Sequence, residues 1–229
     1  MLRPFEDQFI DIHTHRKSCR NFVFILRNVF AEEMDNDLLA KQDTYSLGLH
    51  PWHIKYGNLE SQFRRLTQFA KYPKVLAIGE SGLDKKIETP LAEQIEVLKA
   101  HITISEKLKK PLIIHNVKST NELLRIRQES KANIPWIFHG FSGDFEKATK
   151  IFDAGCYISI GHLLMNKNSK TFKEFQKFPL DKLFFETDDK SFTVIELYQL
   201  AADFKDCYVE KIKEQIFANY KRLFDELTI

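Results

Sequence analysis

Eight short apolar runs, rich in β-branched and aromatic residues, recur along the chain and constrain its fold more than any other feature. They read as continuous hydrophobic segments, which is typical of parallel strands that are buried on both faces. The predicted strands are Phe9–Ile12, Phe22–Leu26, Tyr45–Leu49, Val75–Ile78, Leu112–Ile114, Trp136–Phe138, Tyr157–Ile160 and Leu183–Phe185.

Helical patterns separate most of these runs. Between the fourth and fifth runs, apolar residues from Leu91 to Ile102 fall at i, i+4, i+7 and i+11, one stripe of an amphipathic helix that opens after Thr89-Pro90. Further helices are predicted over Leu59–Tyr72, Thr120–Lys131, Phe145–Ala154, Phe172–Phe178, Val194–Phe204 and Val209–Leu227. This alternation predicts an α/β fold, specifically a (β/α)₈ TIM-type barrel, with a doubly wound open sheet as the alternative.

The alternation is incomplete near the N-terminus. Arg16–Arg20 leaves too little chain for a helix between the first two strands, and Phe30–Thr44 has room only for a short one. We therefore expect a distorted barrel with an abbreviated first βα unit. No internal repeat, low-complexity tract or linker marks a second domain, so residues 1–229 are predicted to form a single domain.

Composition narrows the possible partners. Lys+Arg and Asp+Glu nearly cancel to a net charge of +2, so any contact with nucleic acid must be local. The three cysteines, Cys19, Cys156 and Cys207, are far apart and lack CxxC spacing, which argues against a disulfide framework or a thiolate zinc site. Without a signal-peptide core or an 18-residue apolar stretch, the chain is expected to be cytoplasmic, with no membrane contact and no obligate protein partner.

Histidines and carboxylates cluster at the ends of the predicted strands. In a parallel barrel every strand ends on the same face, so residues far apart in sequence converge there. His13 and His15, at i and i+2, would point to the same side of a strand and grip one ion together, although an isolated HxH is a weak signal and two ordinary polar residues are the alternative. The side chains at these ends are His13, His15, His50, Glu80, His115, His139 and Asp188.

Six motifs extend this prediction beyond the histidines. They are Asp11-Ile-His-Thr-His15, Gly48-Leu-His-Pro-Trp52, Gly79-Glu-Ser-Gly-Leu-Asp84, Pro111-Leu-Ile-Ile-His115, His139-Gly-Phe-Ser-Gly143 and Glu186-Thr-Asp188. In this order they resemble the TatD family of metal-dependent deoxyribonucleases, of the amidohydrolase-like superfamily, over nearly the whole chain.

The resemblance implies a distorted barrel that holds two adjacent divalent metals. It places His13, His15, Glu80 and Asp188 around one ion, with Glu80 bridging to a second ion held by His115 and His139. Mixed imidazole and carboxylate ligands suit zinc, manganese or iron better than magnesium, yet the family is usually described as magnesium-dependent, so metal identity stays open. Two such metals can activate a bridging water, which Asp188 would orient or deprotonate, so Glu80 and Asp188 are the predicted catalytic residues.

Each of these residues also has a structural interpretation that involves no metal. His115 and His139 can be buried core histidines, and Glu80 can be a helix cap or loop carboxylate, although Gly79 and Gly82 would let the backbone approach a ligand closely. Asp188 can belong to an exposed acidic turn, or Asp189 can be the ligand in its place.

Four residues are predicted to contact substrate. His50 lines the site or packs structurally, and Trp52 offers a stacking face for a base or sugar. Lys85 and Lys118 bring positive charge to the barrel mouth, where they bind phosphate or are merely solvated.

Four other polar residues lack a predicted ligand role. Glu186 supports a ligand or forms a strand-end salt bridge. His53, His101 and His162 match no motif and are predicted to be solvated or packing residues, and His101 falls in a helix well away from the strand ends.

Two departures from the family pattern concern the substrate. The family carries an arginine two residues after the histidine of the fifth strand, where this chain has Val117, so a bidentate phosphate clamp is missing. Asp189-Lys190-Ser191 replaces the usual Ala-Pro-Tyr after Asp188.

Three functions follow from these observations. The leading prediction is a phosphodiesterase acting on DNA, at single strands or ends. The alternatives are an esterase or deacylase on a non-DNA or tRNA-linked substrate, and a catalytically idle metal or nucleic-acid binding module.

Overall fold

Eight parallel strands form one sheet in strict sequence order. The structure, a computed structural model, describes residues 3–16, 22–54 and 56–225. The strands are β1 Phe9–Thr14, β2 Val23–Phe30, β3 Thr44–Gly48, β4 Val75–Asp84, β5 Leu112–Val117, β6 Trp136–Phe138, β7 Tyr157–Ile160 and β8 Leu183–Phe185. All eight predicted strands are therefore present.

The sheet closes between its first and last strands. Thr14 and Asp188 form a parallel bridge, in which the amide of His15 donates to the Asp188 carbonyl at 3.1 Å and the amide of Asp188 donates to the His13 carbonyl at 3.0 Å. This confirms the predicted (β/α)₈ barrel over the open sheet. The residues that make the closure belong to the predicted metal site, because the bridge lies at the carboxyl end of β1.

Helices follow the strands as the alternation predicts. They are α1 Asn36–Ala40, α2 Leu59–Phe69, α3 Leu91–Leu108, α4 Thr120–Ser130, α5 Phe145–Asp153, α6 Lys170–Glu174, α7 Val194–Lys205 and α8 Val209–Tyr220. Short 3₁₀ turns occupy Pro51–His53, Tyr56–Asn58, His162–Leu164, Phe175–Lys177 and Leu180–Lys182.

Side-chain caps start several helices. Asp144 accepts a hydrogen bond from the Lys147 amide at the start of α5, and Ser169 accepts one from the Phe172 amide at the start of α6. Thr193 and Glu196 form a capping box at the start of α7.

Two predicted helices differ in extent from the observed ones. The segment predicted as Phe172–Phe178 divides, since α6 begins earlier and gives way to a 3₁₀ turn at Phe175. The helix predicted as Val209–Leu227 ends at Tyr220 and continues as a π turn over Lys221–Asp225, and its last two predicted residues lie outside the described part.

Four strands, β1, β2, β4 and β5, continue past the ends of their apolar runs, and this corrects the predicted position of part of the site. His13, Glu80 and His115 were expected beyond strand ends but lie within β1, β4 and β5. The reason is that strand pairing continues through polar residues, as where Gly82 pairs with His115. A hydrophobic run marks where a strand is buried on both faces, and it does not mark where backbone pairing stops.

Part of the N-terminal irregularity lies outside the described residues. β1 ends at Thr14 and β2 begins at Val23, and residues 17–21 of the predicted abbreviated unit lie outside the described part, together with Cys19. The second connection carries only the five-residue α1, as predicted.

The structure also bears on the cysteines and on membrane-spanning helices. Cys156 and Cys207 are free thiols. Among the described residues, no helix has both the length and the apolar character needed to cross a membrane.

Candidate metal centre

Two glycines let β4 run close against β5 and carry Glu80 into the barrel mouth. A Cβ on Gly79 would lie 2.4 Å from the Ile113 carbonyl oxygen, and one on Gly82 would lie 2.1 Å from the carbonyl oxygen of His115. The sequence predicted that these glycines let the backbone approach a ligand closely, and the structure shows a different close approach. They admit the neighbouring strand, because any side chain there would collide with its backbone.

Glu80 is the centre of the cluster. One carboxylate oxygen lies 2.6 Å from His115 Nδ1, 2.5 Å from His139 Nε2 and 3.2 Å from His50 Nε2, and the other lies 3.5 Å from His13 Nε2. Burial favours the neutral acid, yet His139 and His115 together hold the pKa of Glu80 well below its usual range. Glu80 is therefore an anion surrounded by imidazoles.

The backbone of Glu80 is fixed from β2, by a residue that the sequence reasoning did not single out. The Asn28 side-chain oxygen accepts hydrogen bonds from the Glu80 amide and from the Ser46 hydroxyl, both at 3.0 Å. Asn28 lies in β2 beyond the predicted strand end, so no motif or periodicity in the sequence indicated its role.

His13, His15 and Asp188 form the second side of the cluster. One Asp188 oxygen lies 3.7 Å from His13 Nε2 and 3.5 Å from His15 Nε2. Burial, reinforced by the neighbouring His139, lowers the pKa of His13 to about 3, so this imidazole is neutral at physiological pH. A neutral imidazole is the form that binds a metal.

The donors that face the mouth fit a divalent cation. Both ring nitrogens of His13 are buried without a hydrogen-bond partner among the described residues, although an unsatisfied buried polar atom normally costs about 1–3 kcal/mol. Two sets of potential ligand atoms also lie within 4.8 Å of one another among the described residues: His13, His15 and Glu80, and His50, Glu80 and His115. A metal would satisfy the orphaned nitrogen and balance the carboxylates.

Asp188 faces the mouth and Asp189 does not. Asp188 has φ 52°, a left-handed conformation that non-glycine residues rarely adopt and that is often found at functional sites. Burial and the nearby negative charge of Glu186 raise its pKa. Asp189 is exposed and pairs with Lys190 at 2.7 Å, so its alternative assignment as the ligand has no support from the geometry.

Glu186 supports His139, which favours the first of its two predicted roles. Its Oε1 accepts a hydrogen bond from the Gly140 amide at 2.7 Å and lies 3.6 Å from His139 Nδ1, while its other oxygen accepts from the Ser159 hydroxyl. Burial opposes protonation of His139, but Glu80 and Glu186 raise its pKa well above the ordinary value. A carboxylate behind a ligating histidine fixes the orientation of the ring.

Asp11 ties β1 to the segment that carries Asp188. It accepts hydrogen bonds from the Thr187 amide at 3.0 Å and the Thr187 hydroxyl at 2.6 Å, and burial raises the pKa of Asp11 to about 7. Asp11 lies inside a quoted motif, but the sequence reasoning gave it no role. Its position two residues before His13, on the same face of the strand, was the available signal.

Asp84 is a second buried carboxylate that the sequence reasoning missed. It accepts a hydrogen bond from the Trp52 indole at 2.8 Å and lies 3.4 Å from His115 Nε2. Burial opposes ionisation, but the Trp52 hydrogen bond and others lower the pKa of Asp84. Asp84 thus orients both a predicted ligand and a predicted substrate contact.

His50 contacts the candidate metal ligands directly, which is closer than its predicted role of lining the site requires. Its Nε2 lies 3.2 Å from both Glu80 and His115, and its Nδ1 accepts from the Trp52 amide at 3.1 Å. His50 is therefore a further potential metal ligand. Trp52, by contrast, is 63% exposed, so its ring can contact a substrate.

His101 was predicted to lie well away from the strand ends, and that prediction is wrong. From α3 it accepts a hydrogen bond from the Leu49 amide at 2.9 Å, directly beyond β3 and next to His50. It is fully buried and also bonded to the Val97 carbonyl, so it is a packing residue as predicted, but one that supports the site.

The comparisons with known proteins agree with this geometry. The family model for TatD-related DNase matches residues 13–225. The chain belongs to the TatD family.

TatD relatives extend from bacteria to humans. An uncharacterized metal-dependent hydrolase of Buchnera aphidicola is 33% identical over 66% of this chain and 61% of its own length. The uncharacterized metal-dependent hydrolase YcfH of Escherichia coli is 30% identical over 82% of this chain and 77% of its own length. The human 3'-5' RNA nuclease TATDN2 is 31% identical over 66% of this chain and 21% of its own length. The chain thus spans less than two thirds of some of these relatives.

A solved TatD structure shares the architecture. The TatD homologue YjjV of Escherichia coli superposes with a TM-score of 0.80 at 23% identity, covering 96% of this chain and 99% of that one. This likeness supports the barrel.

The remaining residues that were predicted to contact substrate in this TatD protein line a different cleft from the candidate metal ligands. A cleft of about 180 Å³ is lined by Val117, His139, His162 and Asp188, among others. Lys85 and Lys118 instead line a neighbouring cleft of about 370 Å³, and Lys85 pairs there with Glu122 at 2.5 Å. The structure therefore places these lysines beside the cluster of histidines and carboxylates and not within it. His162, predicted to be solvated or packing, lines the cluster's own cleft.

Proposed function

We propose that this chain is a metal-dependent hydrolase that cleaves phosphodiester bonds of DNA, acting on single strands or ends. The observation that carries the proposal is the convergence of two carboxylates and four histidines in one cluster, with Glu80 in contact with histidines from both halves of it. Residues 1–229 as one catalytic domain remain part of this proposal.

The ligands divide into two sets that share Glu80. His13, His15, Glu80 and Asp188 would hold one divalent ion, and Glu80, His115 and His139 a second, with His50 in reach of the second set. Ions bound there would supply Lewis-acid activation of water and would stabilise charge on a phosphate. Zinc, manganese and magnesium are the candidate ions.

Asp188 is the proposed proton acceptor. Its carboxylate lines the cleft and is partly exposed, so a water there lies within reach. Its backbone is fixed by the bridge to Thr14, and Asp11 fixes the preceding Thr187. A base whose position is set by the scaffold needs little reorganisation to act.

Substrate contacts would come from the rim of the mouth. Exposed Trp52 offers a stacking surface to an unpaired base, which favours single strands over duplex. Lys85 and Lys118 line the adjacent cleft, where a following phosphate would meet positive charge. TATDN2 is named as an RNA nuclease, so RNA belongs among the substrates compared.

An esterase or deacylase is the second candidate. It is favoured by Val117, which lines the cleft where the family carries a phosphate-binding arginine. An apolar residue there suits an uncharged acyl group better than a phosphate anion.

The test combines metal analysis with hydrolysis assays. Protein stripped with EDTA is reloaded with magnesium, manganese or zinc and offered end-labelled single-stranded DNA, duplex DNA, RNA and p-nitrophenyl carboxylic esters. We expect metal-dependent release of nucleotides, fastest from single-stranded DNA. Glu80→Gln should abolish both tight metal binding and cleavage with the fold retained, whereas Glu129→Gln, on the exposed face of α4, should change neither.

Two outcomes would redirect the assignment. Metal-dependent ester hydrolysis without nucleic-acid cleavage would favour the second candidate. Full cleavage by the Glu80 variant would overturn the proposed metal centre.

A further inference from the structure

His162 occupies the same kind of position as the metal-site residues. It follows the end of β7 by two residues, on the face of the barrel where the other strands deliver His13, Glu80 and His115. Gly161 packs against Glu186, the residue directly after β8, since a Cβ there would lie 3.2 Å from the Glu186 carbonyl oxygen. Because Gly161 has no side chain, the turn after β7 can pack closely at the barrel mouth, and this places His162 there.

The backbone of this turn is well anchored. Leu164 and Met165 donate amides to the carbonyls of Gly161 and His162, both at 3.0 Å, and the Ser169 hydroxyl donates to the Leu163 carbonyl at 2.6 Å. His162 therefore projects from a fixed turn.

The other titratable groups that line this cleft contact one another or Glu80, and the His162 side chain differs from them among the described residues. Those groups are His115, His139, Glu186 and Asp188. Within residues 3–16, 22–54 and 56–225, the exposed His162 imidazole has no hydrogen bond or ion pair. An imidazole that structural contacts do not engage is available to a substrate.

We propose that His162 is the general acid that protonates the leaving oxygen of the scissile phosphodiester. The inference rests on the proposed function. Water adds its oxygen to phosphorus and gives its proton to Asp188, while the bond from phosphorus to the leaving oxygen breaks and that oxygen takes a proton from the His162 imidazolium. The products are a phosphomonoester and an alcohol, and one net water is consumed.

Phosphodiester cleavage benefits from a proton donor at the position of His162. A sugar hydroxyl leaves poorly as an alkoxide, so a proton donor accelerates its departure, typically by about 10²–10⁴-fold. Histidine is the side chain that exchanges a proton most readily near neutral pH. Val117 stands where the family carries an arginine, and no guanidinium is found among the described residues that line this cleft.

The leaving group itself provides the test. His162→Gln keeps a polar side chain but cannot transfer a proton. It is assayed, with the metal that supports the native chain, on oligothymidylate and on the p-nitrophenyl ester of thymidine monophosphate, whose phenolate departs without protonation. We expect kcat to fall at least about 100-fold on the oligonucleotide and to stay within about threefold on the p-nitrophenyl ester.

A matched control and a second measurement accompany the assay. Lys167→Ala alters the same loop outside the cleft and should leave both rates unchanged. In histidine-labelled native protein, thymidine monophosphate should shift one imidazole NMR signal that is missing from the spectrum of the His162 variant.

Each result bears on the inference. Equal loss on both substrates, unchanged rates on both, or an unshifted His162 signal would overturn it. Native protein that cleaves neither substrate would contradict the proposed function and this inference with it, whereas active native protein with an unaffected variant would contradict this inference alone.

Discussion

Replacing His101 with glutamine tests whether the barrel mouth depends on a buried, neutral imidazole behind it. Burial lowers the pKa of His101 to about 4, from an ordinary value of 6.5. The imidazole must be neutral because its Nε2 accepts from the Leu49 amide while its Nδ1 donates to the Val97 carbonyl. Protonation would remove the acceptor and leave a charge in the core.

The sign and size of the effect follow from linkage. A histidine with a lowered pKa binds protons more weakly when the chain is folded, so its contribution is intact above pH 6.5 and is lost as the pH falls towards 4. The difference of about 2.5 pH units corresponds to roughly 3 kcal/mol in total. About 2 kcal/mol of this should disappear between pH 7 and pH 5.

Urea unfolding of metal-free protein across this pH range measures the effect. Glutamine can still accept from the Leu49 amide but does not titrate, so the free energy of unfolding of His101→Gln should lose about 2 kcal/mol less than the native value between pH 7 and 5. His13 and the other titrating groups are common to both proteins and cancel in the comparison. Parallel pH curves would refute the reasoning. If the variant does not fold, NMR of the native His101 ring, which should stay neutral at pH 5, decides instead.

Three further predictions concern the site. Gly82→Ala should lower the free energy of unfolding by more than about 3 kcal/mol, because its Cβ would lie 2.1 Å from the β5 backbone. Gly57→Ala is the control in the same urea titration: a Cβ there would have no atom within 4 Å, so this substitution should be nearly neutral. Glu186→Gln should weaken metal binding by about 10–100-fold, measured by competition with a chelator, since it leaves His139 less firmly oriented; unchanged affinity would reject this supporting role. Trp52→Ala should raise KM for single-stranded DNA about tenfold while Trp52→Phe restores most of it, and equal KM values for both would argue against stacking.

Much of the site followed from residue type and strand-end position. His13, His15, Glu80, His115 and Asp188 were each predicted from sequence, and the structure brings all of them to one mouth. The prediction was possible because parallel strands in a closed barrel end on one face, whatever their separation in sequence. The family motifs then supplied the assignment of each residue.

The supporting residues were harder to predict. Asn28, Asp84 and His101 act through hydrogen bonds to partners 52, 32 and 52 residues away. No local period or spacing encodes such a partner, because the contact exists only once the strands are aligned in register. The same holds for His162, whose position depends on how closely the turn after β7 packs on β8.

The sequence by itself determined the eight strands, the barrel class and the chemistry of the donor set, since hydrophobic periodicity and ligand type are local properties. Only the tertiary structure decided that His13, Glu80 and His115 lie inside strands, that Lys85 and Lys118 line a separate cleft, and that His50 reaches Glu80. Backbone pairing continues past the apolar run, and the direction of a side chain is set by its neighbours in space. The prediction that the site residues lie just beyond strand ends was therefore wrong for His13, Glu80 and His115, and it was confirmed for His15, His139 and Asp188.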